Sequence, residues 1–220
     1  MKTMKYHFFK HLKVVLKHKH YVLINSFHLG IPLQGIVHDL SKFSFSEFIP
    51  SAKYYNGHYS PIVNERRSEG LYSNIFTHHT NHNKHHYEYW ISEYCGDFIL
   101  RKIPYQYCLE FVCDMIAASK TYLGKRFKED EPLKFFIYRE EHYLMHTMSK
   151  KFIKELLTIY AQNGFKALKK KKTKQIYLKM DREFLPTELI KCFSINNKFE
   201  RVPIDNKVLN EILNNEKIIK

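Results

Sequence analysis

Fourteen histidines in 220 residues is a high count, and ten of them fall within the 69 residues from His18 to His86, among them His20, His38, His78, His79, His82 and His85. Imidazole nitrogens and carboxylate oxygens together form the ligand set of a hydrolytic or oxygen-activating metal, and a site arises when helices turn them inward together. His38 is followed directly by Asp39. Neighbouring residues on a helix point about 100° apart, so both reach one metal only if it sits close against the helix. Asp114 lies between Cys113 and Met115 in an apolar stretch, where an unpaired carboxylate is costly to bury. Metal is a good partner for it.

These groups need elements to position them. Residues 4–28 alternate apolar and basic positions at helical spacing, and Gly30 with Pro32 ends the run. Leu33, Ile36, Val37 and Leu40 predict a second short helix that contains His38 and Asp39. Ser44 and Glu47 have the spacing of a capping box at the start of a third. Asn56–Gly70 reads as a loop. A long polar helix is expected over Tyr72–Trp90, with His79, Asn83 and His86 on one face and His78, His82 and His85 on its neighbour. Either stripe can supply ligands. Asp114 sits on a buried helix over Tyr107–Tyr122, and helical periodicity continues over 132–162 until Gly164. Gln175–Met180 and Leu189–Ile195 fit strands or irregular cover, and a last helix is expected at Asn206–Lys217.

His38-Asp39-Leu40-Ser41-Lys42 resembles the HDxxK motif of the HD metal-dependent phosphohydrolases. That resemblance implies that His38 and Asp39 bind metal and that Lys42 meets substrate phosphate. The upstream His20 and the later Asp114 would complete the order H…HD…D. A closer resemblance is to the DUF5662 family, through HDLSKFSFSEF (His38–Phe48), HHTNHNKHHYEYW (His78–Trp90) and FVCDMIAASKTYLGK (Phe111–Lys125). It covers roughly residues 15–165 and brings no activity with it. HD proteins with two metals draw extra histidines from this region, which implies a binuclear centre with His79 and one or both of His85 and His86. Water activated there would attack phosphorus, and Glu88 or a spare histidine would protonate the leaving group. The ion would be a divalent transition metal: manganese, nickel, zinc or iron.

The expected fold class is mainly α: an HD-like helical bundle over residues 1–168, then a basic linker and a small α or α+β appendage over 169–220. An apolar fraction of 44% with 16 Tyr and 17 Phe excludes general disorder. Four cysteines without a CxxC pair exclude a disulfide framework and suit a reducing compartment. Lysines and histidines interrupt every apolar run before signal-peptide or membrane-span length. A cytoplasmic protein is expected. The formal charge of +14, densest at Lys169–Lys174 and among Lys10, Lys13, Lys17 and Lys19, attracts a small phosphorylated substrate or a nucleic acid by the same field. Phosphohydrolysis of a nucleotide or another small phosphorylated molecule is the leading expectation. Its rivals are an HD-fold di-iron oxygenase and a non-catalytic basic protein, of the kind a phage encodes, that binds nucleic acid or protein.

Overall fold

The computed structural model describes residues 7–57, 59–195 and 201–203, with side chains described as far as residue 192. Helix α1 (Phe8–Leu29) buries His11, Val15, His18, Val22, Asn25 and Leu29. Those positions follow steps of four and three, so one narrow seam faces inward, and it alternates polar and apolar side chains. Gly30 ends the helix in the left-handed region at φ 70°, which lets Ile31 N–H reach Ser26 O at 2.9 Å. Helix α2 (Pro32–Val37) starts on a proline and lies hard against α1. A Cβ at Gly35 would meet Ser26 Cβ at 2.7 Å, so only glycine allows that approach.

Helix α2 stops one residue before the His-Asp pair. His38 is extended, and Asp39 takes the left-handed conformation at φ 53°, which aspartate tolerates better than most residues. A 3-10 turn over Leu40–Phe43 leads to α3 (Phe45–Tyr54). Helix α4 (Pro61–Ser68) occupies the stretch expected as a loop, because Pro61 at its first position starts a helix that Gly70 then closes. Helix α5 (Asn74–His82) is capped by Ser73 Oγ, which accepts from Phe76 N–H. Its chain then leaves helical geometry at Asn83, and Tyr87–Trp90 forms a 3-10 turn. The expected Tyr72–Trp90 helix is therefore half as long as its polar pattern suggested. Helix α6 (Tyr105–Leu123) buries Leu109, Val112, Cys113, Ile116 and Ala117. Asn25 Nδ2 donates to Cys113 O at 3.0 Å, tying α1 to α6.

The described residues gather into two compact units, one drawn from Met1–Tyr89 and Leu109–Lys128, the other from Trp90–Cys108 and Glu129–Lys220. This division falls inside α6 and does not coincide with the boundary expected at residue 168. In the second unit α7 (Glu131–Arg139), α8 (Thr147–Asn163) and α9 (Lys170–Glu183) follow one another. Phe136, Met148, Phe152, Ile153, Leu156, Leu157 and Tyr160 are fully enclosed or nearly so. The lysine run begins α9 rather than forming a linker, and Gln175–Met180 continues that helix. Strands β1 (Ile91–Tyr94) and β2 (Asp97–Arg101) form a hairpin through Cys95 and Gly96, both at positive φ. β2 also pairs antiparallel with β3 (Thr187–Ile190). β4 (Phe193–Ile195) pairs with β5 (Arg201–Pro203). The chain is mainly α, as expected; the helix expected at Asn206–Lys217 lies outside the described residues. No helix among the described residues is long and apolar enough to cross a membrane.

Candidate metal centre

The α1 seam delivers His18, not His20, to the first unit's interior. His18 Nε2 lies 2.9 Å from Asp114 Oδ1, whereas His20 is exposed. Two positions further along a helix is a rotation of about 200°, which takes His20 off the seam. His38 Nε2 lies 3.2 Å from Asp39 Oδ2 and 3.5 Å from Asp114 Oδ1. In this first group, His18, His38, Asp39 and Asp114 each offer a ligand atom within 4.8 Å of the others.

A second group, formed by His79, His85 and His86, meets the same limit. Neither helical stripe supplies it. His79 comes from the end of α5, while His85 and His86 come from the irregular chain beyond Asn83. The break turns both toward His79; their rings lie 6.2 and 4.7 Å from the His79 ring. His78 and His82 stack against each other at 4.2 Å away from both groups. Asp39 stands between the groups. Its Oδ2 faces His38, and its Oδ1 lies 3.4 Å from His79 Nε2 and 3.6 Å from His85 Nε2. The extended and left-handed conformations at positions 38 and 39, which replace the expected helix, give the two adjacent side chains this common focus.

Behind the imidazoles stands a set of carboxylates, of which the sequence offers Glu88 as a proton donor and Glu47 as a helix cap, and leaves Glu110 unnamed. Glu110 Oε1 lies 2.9 Å from His38 Nδ1 and 3.2 Å from His85 Nδ1. Glu47 Oε1 lies 2.8 Å from His79 Nδ1, and Glu88 Oε2 lies 3.6 Å from His86 Nδ1. His38, His79 and His85 thus turn Nδ1 to a carboxylate, an orientation that leaves Nε2 as the atom facing the cluster and, in the neutral ring, free to bind. Glu47 does not close a capping box; its other oxygen meets His78 Nδ1 at 3.2 Å. Asn83 donates to Ser41 Oγ at 2.7 Å and to His79 O at 2.8 Å, holding the His79 segment against the 3-10 turn. Glu110 carried a readable signal: it precedes Asp114 by one helical turn in the same apolar stretch.

Burial lowers His18 and His79, and it brings His85 down to about 4, with the charges on His86 and His38 adding to the effect. Neutral imidazole is the form that binds metal. His38 differs: burial alone would lower it, but Asp39, Asp114 and Glu110 outweigh burial and hold it well above the usual value. Asp39 and Asp114 lie well below the ordinary carboxylate range, because His38 with Lys42, and His18 with His38, overcome the cost of burial. Lys42 Nζ lies 2.5 Å from Asp39 Oδ2, and the Asp39 and Asp114 charges raise its pKa against desolvation. Glu88 is held low by His86 despite its burial.

The donor set fits a metal on a further observation. Asp39 Oδ1 and His85 Nε2 are buried without a hydrogen-bond partner among the described residues, with their nearest charged neighbours at 3.4 and 3.6 Å. Buried polar atoms are rarely left in that state. His18, Lys42, Glu47, His79, His86 and Asp114 also line a cavity of about 210 Å³.

A mainly helical unit with an inward His/carboxylate cluster is the class that the geometry defines. The sequence profile of a family of unknown function, DUF5662, matches residues 7–159. The chain belongs to that family. No curated protein and no solved structure matches it.

Proposed function

We propose that this protein is a metal-dependent phosphohydrolase of the HD type with a two-cation centre, acting on a small phosphorylated substrate. The observation that carries the reading is the position of Asp39, whose two oxygens face two different sets of imidazole nitrogens. His18, His38, Asp39 and Asp114 would hold one cation; His79, His85, His86 and the second oxygen of Asp39 would hold the other. A donor set of imidazole and carboxylate without thiolate suits manganese, iron, nickel or zinc better than magnesium or calcium. Divalent cations held there supply Lewis acidity and make water a nucleophile near neutral pH.

The chain's own residues do the rest. Lys42 presents a cation to the cavity beside Asp39 and can transfer its attraction to a phosphoryl oxygen. Glu47, Glu88 and Glu110 keep the histidine rings in one orientation while charge changes in front of them.

The test is the metal content of protein purified without chelator or His tag, compared with His38→Ala/Asp39→Ala. About one to two equivalents, lost in the variant, together with metal-dependent hydrolysis of 4-nitrophenyl phosphate, supports the reading. Iron with oxygen uptake and no phosphate release would replace it with the di-iron oxygenase reading. Absence of any metal after reconstitution would sink both.

A further inference from the structure

The cavity beside the metal-ligand cluster has a second polar end. His11 lies seven residues before His18 on the α1 seam, and Thr121 lies seven residues after Asp114 on α6. Seven residues is two helical turns, about 10 Å. α1 and α6 run antiparallel, since Asn25 contacts Cys113 while Lys17 contacts Thr121. The two displacements therefore point the same way along the cavity, and His11 and Thr121 both line it, each two helical turns from the His18–Asp114 contact. His11 Nδ1 and Thr121 Oγ1 are both buried without a hydrogen-bond partner. His11 is 6% exposed and braced by Phe48 and Tyr55, with ring centres 5.1 and 5.5 Å away.

Between the two ends the lining is mostly apolar and aromatic, from Val14, Ile62, Ile75, Phe76, Ala118 and Tyr122. Among the described residues that line the cavity, Lys42 is the one lysine or arginine. One such cation beside the cluster provides for a single phosphate; a di- or triphosphate chain would bring further charges into a wall with no cation to meet them. A cavity of about 210 Å³ is also below the roughly 300–1,000 Å³ of drug-sized ligand sites.

We infer that the cavity takes a phosphomonoester of a compact, uncharged, largely apolar alcohol, and that His11 and Thr121 read a hydrogen-bonding group at the end remote from the phosphate. The inference rests on the phosphohydrolase reading for the placement of phosphate beside Lys42. A one-ring alcohol or phenol carrying a distal hydroxyl has the required shape. The unpaired distal atoms make that hydroxyl a requirement for tight binding, since a ligand without it leaves both unsatisfied.

Phosphonates test this without turnover. Calorimetry on manganese-loaded protein would compare methylphosphonate, phenylphosphonate, its 3- and 4-hydroxy derivatives, and inorganic diphosphate. Phenylphosphonate is expected to bind at least about tenfold more tightly than methylphosphonate, because its ring is buried. One hydroxy isomer should gain about a further tenfold. His11→Phe and Thr121→Val, made separately, should each erase most of the hydroxyl gain while leaving methylphosphonate affinity unchanged. Tighter binding of diphosphate than of the aryl ligands overturns the inference, as does a hydroxyl gain that survives both variants or is absent from both isomers. Aryl phosphonates that bind as expected, with no phosphate ester turned over, support the pocket assignment and defeat the hydrolase reading. Efficient hydrolysis of polyphosphates alone defeats the pocket assignment and leaves the hydrolase reading standing.

Discussion

Glu110 accepts a hydrogen bond from His38 Nδ1 at 2.9 Å, and the same oxygen lies 3.2 Å from His85 Nδ1. One carboxylate therefore orients a histidine in each ligand group. Glu110→Gln keeps an oxygen acceptor of the same size but removes the charge that makes both rings better donors. Metal affinity is expected to fall about 10- to 100-fold with the far-ultraviolet circular dichroism unchanged. Titration of the metal-free variant with manganese reads this directly, and an affinity equal to that of the parent would remove Glu110 from the site.

Lys42 and Asp39 form the closest ion pair in the cluster, at 2.5 Å. A lysine that competes with cations for Asp39 is not needed to hold them. Lys42→Met should keep metal at the parent stoichiometry and lose most of the affinity for inorganic phosphate, measured by calorimetry on the loaded protein. Loss of metal together with phosphate would show Lys42 to be structural, and the role given to it here would fail.

The order of chemical groups along the chain was legible before the structure; the backbone that presents them was not. Asp114 stands out because an acidic group inside an apolar run demands a partner, and His38-Asp39 stands out as a dipeptide that resembles a metal-binding motif. The resemblance calls for an upstream histidine, and it does not by itself separate His20 from His18. The seam through Val15, Val22 and Leu29, already visible at seven-residue spacing, would have selected His18. Periodicity also extended α5 to Trp90, because Asn83 and Lys84 do not forbid a helix. At the break Asn83 donates to Ser41 Oγ, a tertiary contact that is invisible in a window of sequence. Glu47 was read by its distance from Ser44 as a cap, and its burial against two histidines belongs to packing between α3 and α5.

The exchange of His20 for His18 is itself testable. His18→Ala removes a ring whose Nε2 is buried 2.9 Å from Asp114 Oδ1, while His20→Ala changes an exposed side chain. The first should lose about one equivalent of metal; the second should lose none and shift Tm by no more than surface substitutions commonly do. Equal metal content in the two variants would contradict the placement of the α1 seam.

His38 makes metal loading pH-dependent in a definite direction. Asp39, Asp114 and Glu110 hold its pKa well above 6.5 in the metal-free protein, against the effect of burial, so near neutrality the ring carries a proton that a metal must displace. Affinity should therefore rise with pH across the neutral range, with proton release visible as a dependence of calorimetric heat on buffer ionisation. His85, brought down to about 4, is already neutral there and releases none. Stability of the metal-free protein moves the other way. The contribution of His38 is fully present below its unfolded value near 6.5 and is lost as pH rises through its raised folded value. The depressed Asp39 and Asp114 stabilise above the ordinary aspartate value of 3.8 and lose that contribution only as pH falls through their lower folded values. Between pH 6 and 8, metal-free protein should lose stability with rising pH relative to His38→Gln while the parent gains metal affinity. Flat metal affinity over that interval would mean that His38 enters the site already unprotonated.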